Sequence, residues 1–199
     1  MEEIRNDSHG EDLGIATPLR AGAGMIRVRS ICRAIDAPEL PVEEDLGMMQ
    51  DHMHPALGHM ETSDIGQSEG DGYEEPEVVE YATQAQVTFD GREYRIAYRE
   101  PEDVGMESTR TTLIFHRDRP NVFHLSRVGF VSSMFTFEAG KITEGAYSIK
   151  VGGAMPFSVD TLSLDNRLVS EGRLVVNYHL LYQGIVMEQM HLAITWCAE

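Results

Sequence analysis

Three polar side chains near the ends of strand-like runs are the residues best suited to binding a ligand. Tyr98 and Glu100 share one side of the run REYRIAYRE, and Arg127 precedes Gly129 in LSRVG. A carboxylate and a guanidinium at one rim of a sheet could bind a polar group of an entering ligand. The same residues could instead form a structural ion pair that closes that end, with Gly129 supplying a turn conformation. The sequence leaves both interpretations open.

A second candidate is the stretch MMQDHMHPALGHM, Met48 to Met60, which holds four methionines and three histidines. Thioethers and imidazoles together suit soft cations, copper(I) above all. Such clusters also arise by chance in disordered insertions, and no Met-x-x-Met spacing repeats in this one. We therefore predict no metal site and no cofactor.

The remaining nucleophilic and basic residues form no catalytic pattern. Ser132-Ser133 lacks the G-x-S-x-G elbow, and no glycine-rich phosphate loop follows any run. Cys32 and Cys197 lie outside any C-x-x-C spacing, which favours reduced thiols, although terminal strands that pair could also bring them into a disulfide. Four histidines lie in different runs without metal-ligand spacing, and no role is assigned to them: His116, His124, His179 and His191. An enzyme is therefore the least favoured class.

Strands must position these residues, because the chain beyond Pro76 is a series of short apolar runs separated by turn residues. Asp90-Gly91 predicts a two-residue type I′ hairpin, in which both positions need φ > 0. Nine runs follow Pro76, and a tenth spans Met25 to Ile35, with no helical period between them. The other predicted turns are Pro120-Asn121, Gly129, Gly140-Lys141, Gly152-Gly153, Asp165-Asn166 and Gln183-Gly184. This pattern predicts an all-β domain, an up-and-down barrel or a sandwich.

Alternation along the runs predicts which side chains face the interior. The inner sets are Ile26, Val28, Ser30 and Cys32; Tyr94, Ile96, Tyr98 and Glu100; and Met190, Leu192, Ile194 and Trp196. Other large residues could line an adaptable cavity or fill it: Met134, Met155, Met187, Met190, Phe135, Phe137 and Tyr178. Since about eight strands are just filled by side chains, ten runs favour a cavity or one strand acting as an edge flap.

The acidic residues are concentrated in the first part of the chain, outside the predicted strands. The chain has 33 acidic and 16 basic residues, a net charge of −17, which disfavours nucleic acid and membrane surfaces as partners. Residues 1–76 hold 17 acids and 5 bases and show little hydrophobic period outside the first run. We predict a flexible leader over 1–24, an acidic disordered insertion over 36–76, and a barrel formed by 25–35 and 77–199. Without an export signal or a long apolar segment, a cytoplasmic location is expected.

Four segments carry a resemblance to a known family: YREPEDVGMESTRTTL (Tyr98 to Leu113), LSRVG (Leu125 to Gly129), MFTFEAG (Met134 to Gly140) and GRLVVNYHL (Gly172 to Leu180). In order and spacing the chain resembles the YwiB-like proteins, small bacterial proteins of unknown function. The resemblance covers Met25 to Ile35 and Glu77 to Trp196. It implies a single antiparallel, up-and-down β-barrel of the calycin or lipocalin-like type, and it implies no reaction. The leader and the insertion depart from the family pattern.

Two classes of function remain. The first is a non-catalytic barrel that binds a small, partly apolar ligand. The alternative is an interaction or assembly protein, in which the barrel forms a homodimer or docks a partner and the acidic insertion acts as a tether.

Overall fold

The computed structural model describes residues 16–35, 75–104, 108–129, 131–149 and 154–198. They form ten strands, with a short 3₁₀ turn at Glu102–Val104 and a one-turn helix, α1, at Leu168–Glu171. The strands are β1 (Gly22–Ala34), β2 (Glu77–Phe89), β3 (Glu93–Arg99), β4 (Arg110–His116), β5 (Arg119–Val128), β6 (Val131–Glu138), β7 (Ile142–Ile149), β8 (Ala154–Arg167), β9 (Arg173–Tyr182) and β10 (Ile185–Ala198). The predictions for residues 1–15, for 36–74 with its Met48 to Met60 cluster, and for Gly152-Gly153 lie outside the described residues.

The ten strands form one closed antiparallel barrel in which each strand pairs with its neighbour in the sequence. β1 completes the barrel by pairing on both sides. It pairs with β2 from Gly22 to Cys32 and with β10 from Gly24 to Ala34. Each described strand therefore has hydrogen-bonded neighbours along both sides, and the sheet has no edge. The predicted up-and-down barrel is confirmed, and the sandwich and the edge flap are wrong.

Alternation places the inner side chains as predicted. Tyr94, Ile96, Tyr98 and Glu100 are all less than a tenth exposed, and so are Leu192, Ile194 and Trp196. Two residues predicted to line or fill a cavity do not line the one described below. Met134 is 61% exposed on the outer face of β6, beside the inward-facing Phe135, and Met187 directly precedes the buried Glu188.

One end of the barrel, which we call the closed end, is covered by the chain preceding β1. Leu19 is buried there, and its N–H donates to the carbonyl of Leu168 in α1. Thr17 N–H donates to the carbonyl of Trp196, whose ring packs against Gly24.

Residues 16–24 thus differ from the flexible leader predicted for them. A buried leucine and two backbone hydrogen bonds hold this segment on the barrel, and β1 begins at Gly22 rather than Met25.

The β2–β3 hairpin is present, but its turn type was predicted wrongly. Asp90 N–H donates to the carbonyl of Glu93, so Gly91 and Arg92 are the two central residues. Only Gly91 has positive φ, +97°, which is the pattern of a type II′ turn rather than type I′. The reason is local: the Asp90 carboxylate accepts the N–H groups of Arg92 and Glu93, which makes it the residue that opens the turn.

Two further turns lie elsewhere than predicted. Pro120 and Asn121 belong to β5, and the turn before it is Arg117-Asp118; proline is tolerated so close to the start of a strand. Asp165 and Asn166 belong to β8, and α1 makes the turn instead. Asn166 Oδ1 accepts the Leu168 N–H at the start of α1.

Gly172 is expected to be essential for packing at the closed end. It has φ of +68°, and a Cβ there would lie 2.0 Å from the Thr17 carbonyl oxygen. Gly140 is the matched control, because its φ is +73° and a Cβ would meet nothing within 4 Å. Gly140→Ala should cost about 1–2 kcal/mol for the left-handed backbone alone. Gly172→Ala should cost about 1–3 kcal/mol more through displaced packing. Urea unfolding measures both, and equal losses would show that the segment around Thr17 does not pack on Gly172.

Candidate functional site

The structure brings Tyr98, Glu100 and Arg127 together inside the barrel. Tyr98 pairs with Thr111 across β3 and β4, and Thr111 pairs with Arg127 across β4 and β5, so three neighbouring strands present one row. Glu100 immediately follows β3 and is 5% exposed. Arg127 Nε lies 3.5 Å from Glu100 Oε1. The ion pair expected from the sequence is therefore present, whereas a role in binding a ligand stays a prediction.

Glu100 is a buried carboxylate with hydroxyl partners on both oxygens. The Thr111 hydroxyl donates to Oε1 at 2.5 Å, and the Tyr81 hydroxyl donates to Oε2. The Glu100 backbone N–H donates to the carbonyl of Thr109 at 3.0 Å. Hydroxyl donors and a nearby cation together offset the cost of removing a carboxylate from water.

The protonation states of this cluster follow from its burial. Burial raises the pKa of Tyr81, and the neighbouring Tyr98 and the Glu100 carboxylate raise it further, so the hydroxyl remains a donor. Burial lowers the pKa of Arg127, but Glu100 and the surrounding tyrosines outweigh burial and hold it above its ordinary value. The cluster therefore contains a permanent cation and permanent hydroxyl donors.

Gly129 lies in the connection between β5 and β6, where the sequence predicted a turn, but its backbone is not left-handed. It is absent from the glycines with positive φ among the described residues, and a Cβ on it would lie 2.6 Å from the Thr109 Cα. Glycine is needed because the backbone after β5 lies close to Thr109, whose carbonyl accepts a hydrogen bond from the Glu100 N–H. The absence of a side chain at Gly129 thus allows the chain to pack around the ion pair.

A cavity of about 90 Å³ lies beside this cluster, in the half of the barrel away from the closed end. One water needs about 10–15 Å³, so the space exceeds that of a few trapped waters. The cavity is partly open to solvent. Its apolar wall is Val28, Val79, Val104, Leu125, Phe135, Phe137, Met155, Phe157, Leu180, Met190 and Leu192. Its polar wall is Ser30, Cys32, Tyr81, Glu100, Arg127, Tyr147, Tyr178 and Glu188.

A second buried carboxylate, Glu188, lies in the same cavity wall. It is 6% exposed and follows the β-bulge at which the pairing of β10 with β9 shifts. The Cys32 thiol hydrogen-bonds to it. Burial, followed by the charge of Glu188, raises the pKa of Cys32 to about 12, so the thiol stays protonated and is a poor nucleophile. Cys32 and Cys197 are not joined by a disulfide.

Sequence reasoning missed Tyr81, Thr111 and Glu188. Glu188 has the same parity as Met190 and Leu192, so extending the alternation one step back along β10 would have placed it inside. Tyr81 has the parity of Ala85 and Val87 on β2. Thr111 has the parity of Leu113 and Phe115 on β4, so alternation would have placed it inside as well, although not opposite Tyr98.

Other polar residues contribute to the surface rather than to a site. The four histidines all contact neighbouring polar side chains: Glu93 for His116, Thr136 for His124, Asp160 for His179 and Asn177 for His191. Within the described ranges, no three His, Cys, Asp or Glu side chains converge as metal ligands. The described part of the chain also contains no helix that is long and apolar enough to cross a membrane.

The fold and site define a ten-stranded antiparallel β-barrel with a buried ion pair beside an interior cavity. The chain belongs to the family described as a domain of unknown function, DUF1934, whose sequence profile matches residues 63–194. The crystal structure of ywiB protein from Bacillus subtilis is similar in fold: TM-score 0.53 at 15% identity, covering 88% of this chain and 92% of that chain. The resemblance to YwiB-like proteins is thus confirmed, and at this identity the likeness shows the fold alone. No curated protein matches the chain.

Removing one partner of the buried ion pair is expected to destabilise the barrel strongly. Arg127→Met leaves the Glu100 carboxylate buried without its cation and should cost about 3–5 kcal/mol of unfolding free energy. Adding Glu100→Gln should recover part of that loss, because the remaining group is then neutral. Arg29→Met is the control, since Arg29 and Glu80 are nearly half exposed and 3.7 Å apart, and such pairs contribute about 1 kcal/mol or less. Equal losses for Arg127→Met and Arg29→Met in urea unfolding would contradict this account.

Cys32 is expected to resist alkylation in the folded protein. At pH 8 a thiol with pKa of about 12 is roughly a thousandfold less ionised than an unfolded one with pKa about 8.5. Iodoacetamide should therefore label Cys32 far more slowly in buffer than in urea, as peptide mass mapping would show. Equal labelling rates in both conditions would refute the raised pKa of Cys32.

The free energy of unfolding should also fall as the pH rises from about 8.5 toward 12, because the thiol of the unfolded chain ionises first.

Proposed function

We propose that this protein is a non-catalytic barrel that binds one small, partly apolar molecule in its interior cavity. The observation that carries the proposal is the unfilled space of about 90 Å³ in a barrel whose closed end is packed. Solid packing throughout would have left nothing for a ligand to occupy. A barrel of ten strands has a wider interior than one of eight, which side chains just fill.

The composition of the cavity wall supports the proposal. Small-molecule sites are predominantly apolar, with a few convergent polar groups that orient the ligand. This wall combines aromatic and aliphatic side chains with the polar residues Arg127, Tyr147 and Tyr178. The cavity is thus suited to a molecule with an apolar body and one polar end.

The reactive groups of the cavity favour binding over catalysis. Each oxygen of Glu100 accepts a hydroxyl hydrogen bond, so the carboxylate is engaged as a structural acceptor. The Cys32 thiol is held in its protonated form. The Cys32 thiol and the Glu188 carboxylate are in contact in this wall, but the thiol stays protonated, so an enzyme stays the least favoured class.

The alternative is an interaction or assembly protein. Val128 and Met134 are 64% and 61% exposed on the outer faces of the neighbouring strands β5 and β6, where they could contribute to a homodimer interface. Scattered exposed apolar residues are common on monomers, so this observation is weaker than an interior cavity.

Native mass spectrometry of the purified full-length protein is expected to show a monomer carrying a small-molecule adduct. A dimer without adduct would favour the alternative.

Benzyl alcohol is a suitable probe for the cavity, and saturation-transfer NMR detects its binding. Met155→Trp should abolish its binding by filling the space, whereas Met155→Leu should retain it, because leucine conserves volume. Unchanged binding to a folded Met155→Trp variant would show that the probe does not occupy the cavity.

A further inference from the structure

The Arg127 side chain has more hydrogen-bond donors than the protein uses. A guanidinium has five N–H donors, and a purely structural pair with a carboxylate is commonly bidentate. Here Arg127 Nε lies 3.5 Å from Glu100 Oε1, and that Nε is buried without a hydrogen-bond partner. The terminal amino groups of Arg127 donate to no group in the described part of the chain. Glu100 therefore balances the charge of Arg127 while leaving its donors unused.

Hydroxyl groups around Arg127 are unused in the same way. Tyr147 and Tyr178 line the cavity, and neither hydroxyl has a hydrogen-bond partner among the described residues. Both lie near enough to Arg127 for its charge to lower their pKa against the effect of burial. Ser133 pairs in register with Arg127 and Tyr147, is 6% exposed, and buries its Oγ without a partner. Unsatisfied buried polar groups are rare, and two of them, Arg127 Nε in the cavity wall and Ser133 Oγ, lie on residues that pair directly across β5 and β6.

We infer that the ligand carries a carboxylate, which binds the free amino groups of Arg127 inside the cavity while its apolar body packs on the aromatic wall. This inference rests on the proposed function and specifies the head group of the ligand. A carboxylate supplies acceptors to a guanidinium in the planar, bidentate arrangement that Arg127 does not obtain from Glu100. The hydroxyls of Tyr147 and Tyr178 donate to the same head group.

Glu188 limits where the head group binds. The charges of Arg127 and Glu188 act on the pKa of Tyr147 and of Tyr178 in opposite directions, so both charges lie near the two tyrosines. Among the described residues that line the cavity, Arg127 is the only Lys or Arg. A carboxylate is therefore held by the unused donors of Arg127, beside Glu100, and repelled from the Glu188 side, which gives the ligand one orientation.

The test compares benzoate with benzyl alcohol, which have the same ring and differ in the charge of the head group. For the full-length protein at pH 7, benzoate should bind roughly tenfold more tightly, because charge-assisted hydrogen bonds are about twice as strong as neutral ones. Arg127→Met should bring the two affinities close together, and Glu188→Gln should strengthen benzoate binding several-fold by removing the like charge. Arg29→Met on the outer face should change neither affinity. Ligand-observed NMR titrations give all of these values.

Tyr147→Phe and Tyr178→Phe keep the test valid if Arg127→Met does not fold. Each removes one hydroxyl and keeps the ring, so each should weaken the binding of benzoate several-fold and the binding of benzyl alcohol less.

Equal binding of the two probes by the unmodified protein would overturn the carboxylate inference and leave the proposed ligand-binding function intact. An unchanged preference for benzoate in a folded Arg127→Met variant would overturn the assignment to Arg127. If neither probe binds and no adduct co-purifies, the proposed function fails as well.

Discussion

β1 is the strand on which the barrel depends, because it alone pairs with both β2 and β10. It does so over eleven positions on each side, although 42 residues separate it from β2. The entropy of closing a loop rises only slowly with its length, so a long connection here is compatible with a stable barrel. Without β1, the two neighbouring strands would each expose a row of unpaired backbone groups. The family profile begins at residue 63, after β1, so closure is a feature that the structure itself establishes.

The number of strands explains why a cavity exists, and the closed end explains its position. Leu19, Leu168 and Trp196 occupy one end of the barrel, where backbone hydrogen bonds hold the segment before β1 against α1. At the other end the interior is wider than its side chains fill, and Glu100 and Arg127 line that space, whereas Tyr98 and Thr111 do not. The ion pair and the cavity are therefore linked: a cation this deep in a barrel needs the Glu100 charge, and the cavity leaves its donors accessible.

Local patterns predicted much of this arrangement. Period-two alternation placed Ile96 and Ile194 inside and marked Glu100 as a carboxylate on an inner face. The same pattern contained Glu188, which was overlooked at the start of β10. It also contained the correct position of Met134, since Phe135 is its neighbour and both cannot face inward. Turn prediction was weaker at Asp90, because a side-chain oxygen that accepts two backbone N–H groups shifted the turn by one residue.

By itself, the sequence determined the strands, their inner faces and the all-β class, because these follow from the alternation of neighbouring side chains along one strand. The choice of a barrel over a sandwich came from the resemblance of four segments to a known family. Only the tertiary structure decided which inner residues meet. The pairing of Tyr98 with Thr111, and of Thr111 with Arg127, depends on the register of three strands, and an irregular segment separates β3 from β4. The tertiary structure also decided that Glu100 takes hydroxyl partners on both oxygens while Arg127 keeps unused donors, since hydrogen-bond geometry depends on distances across the barrel.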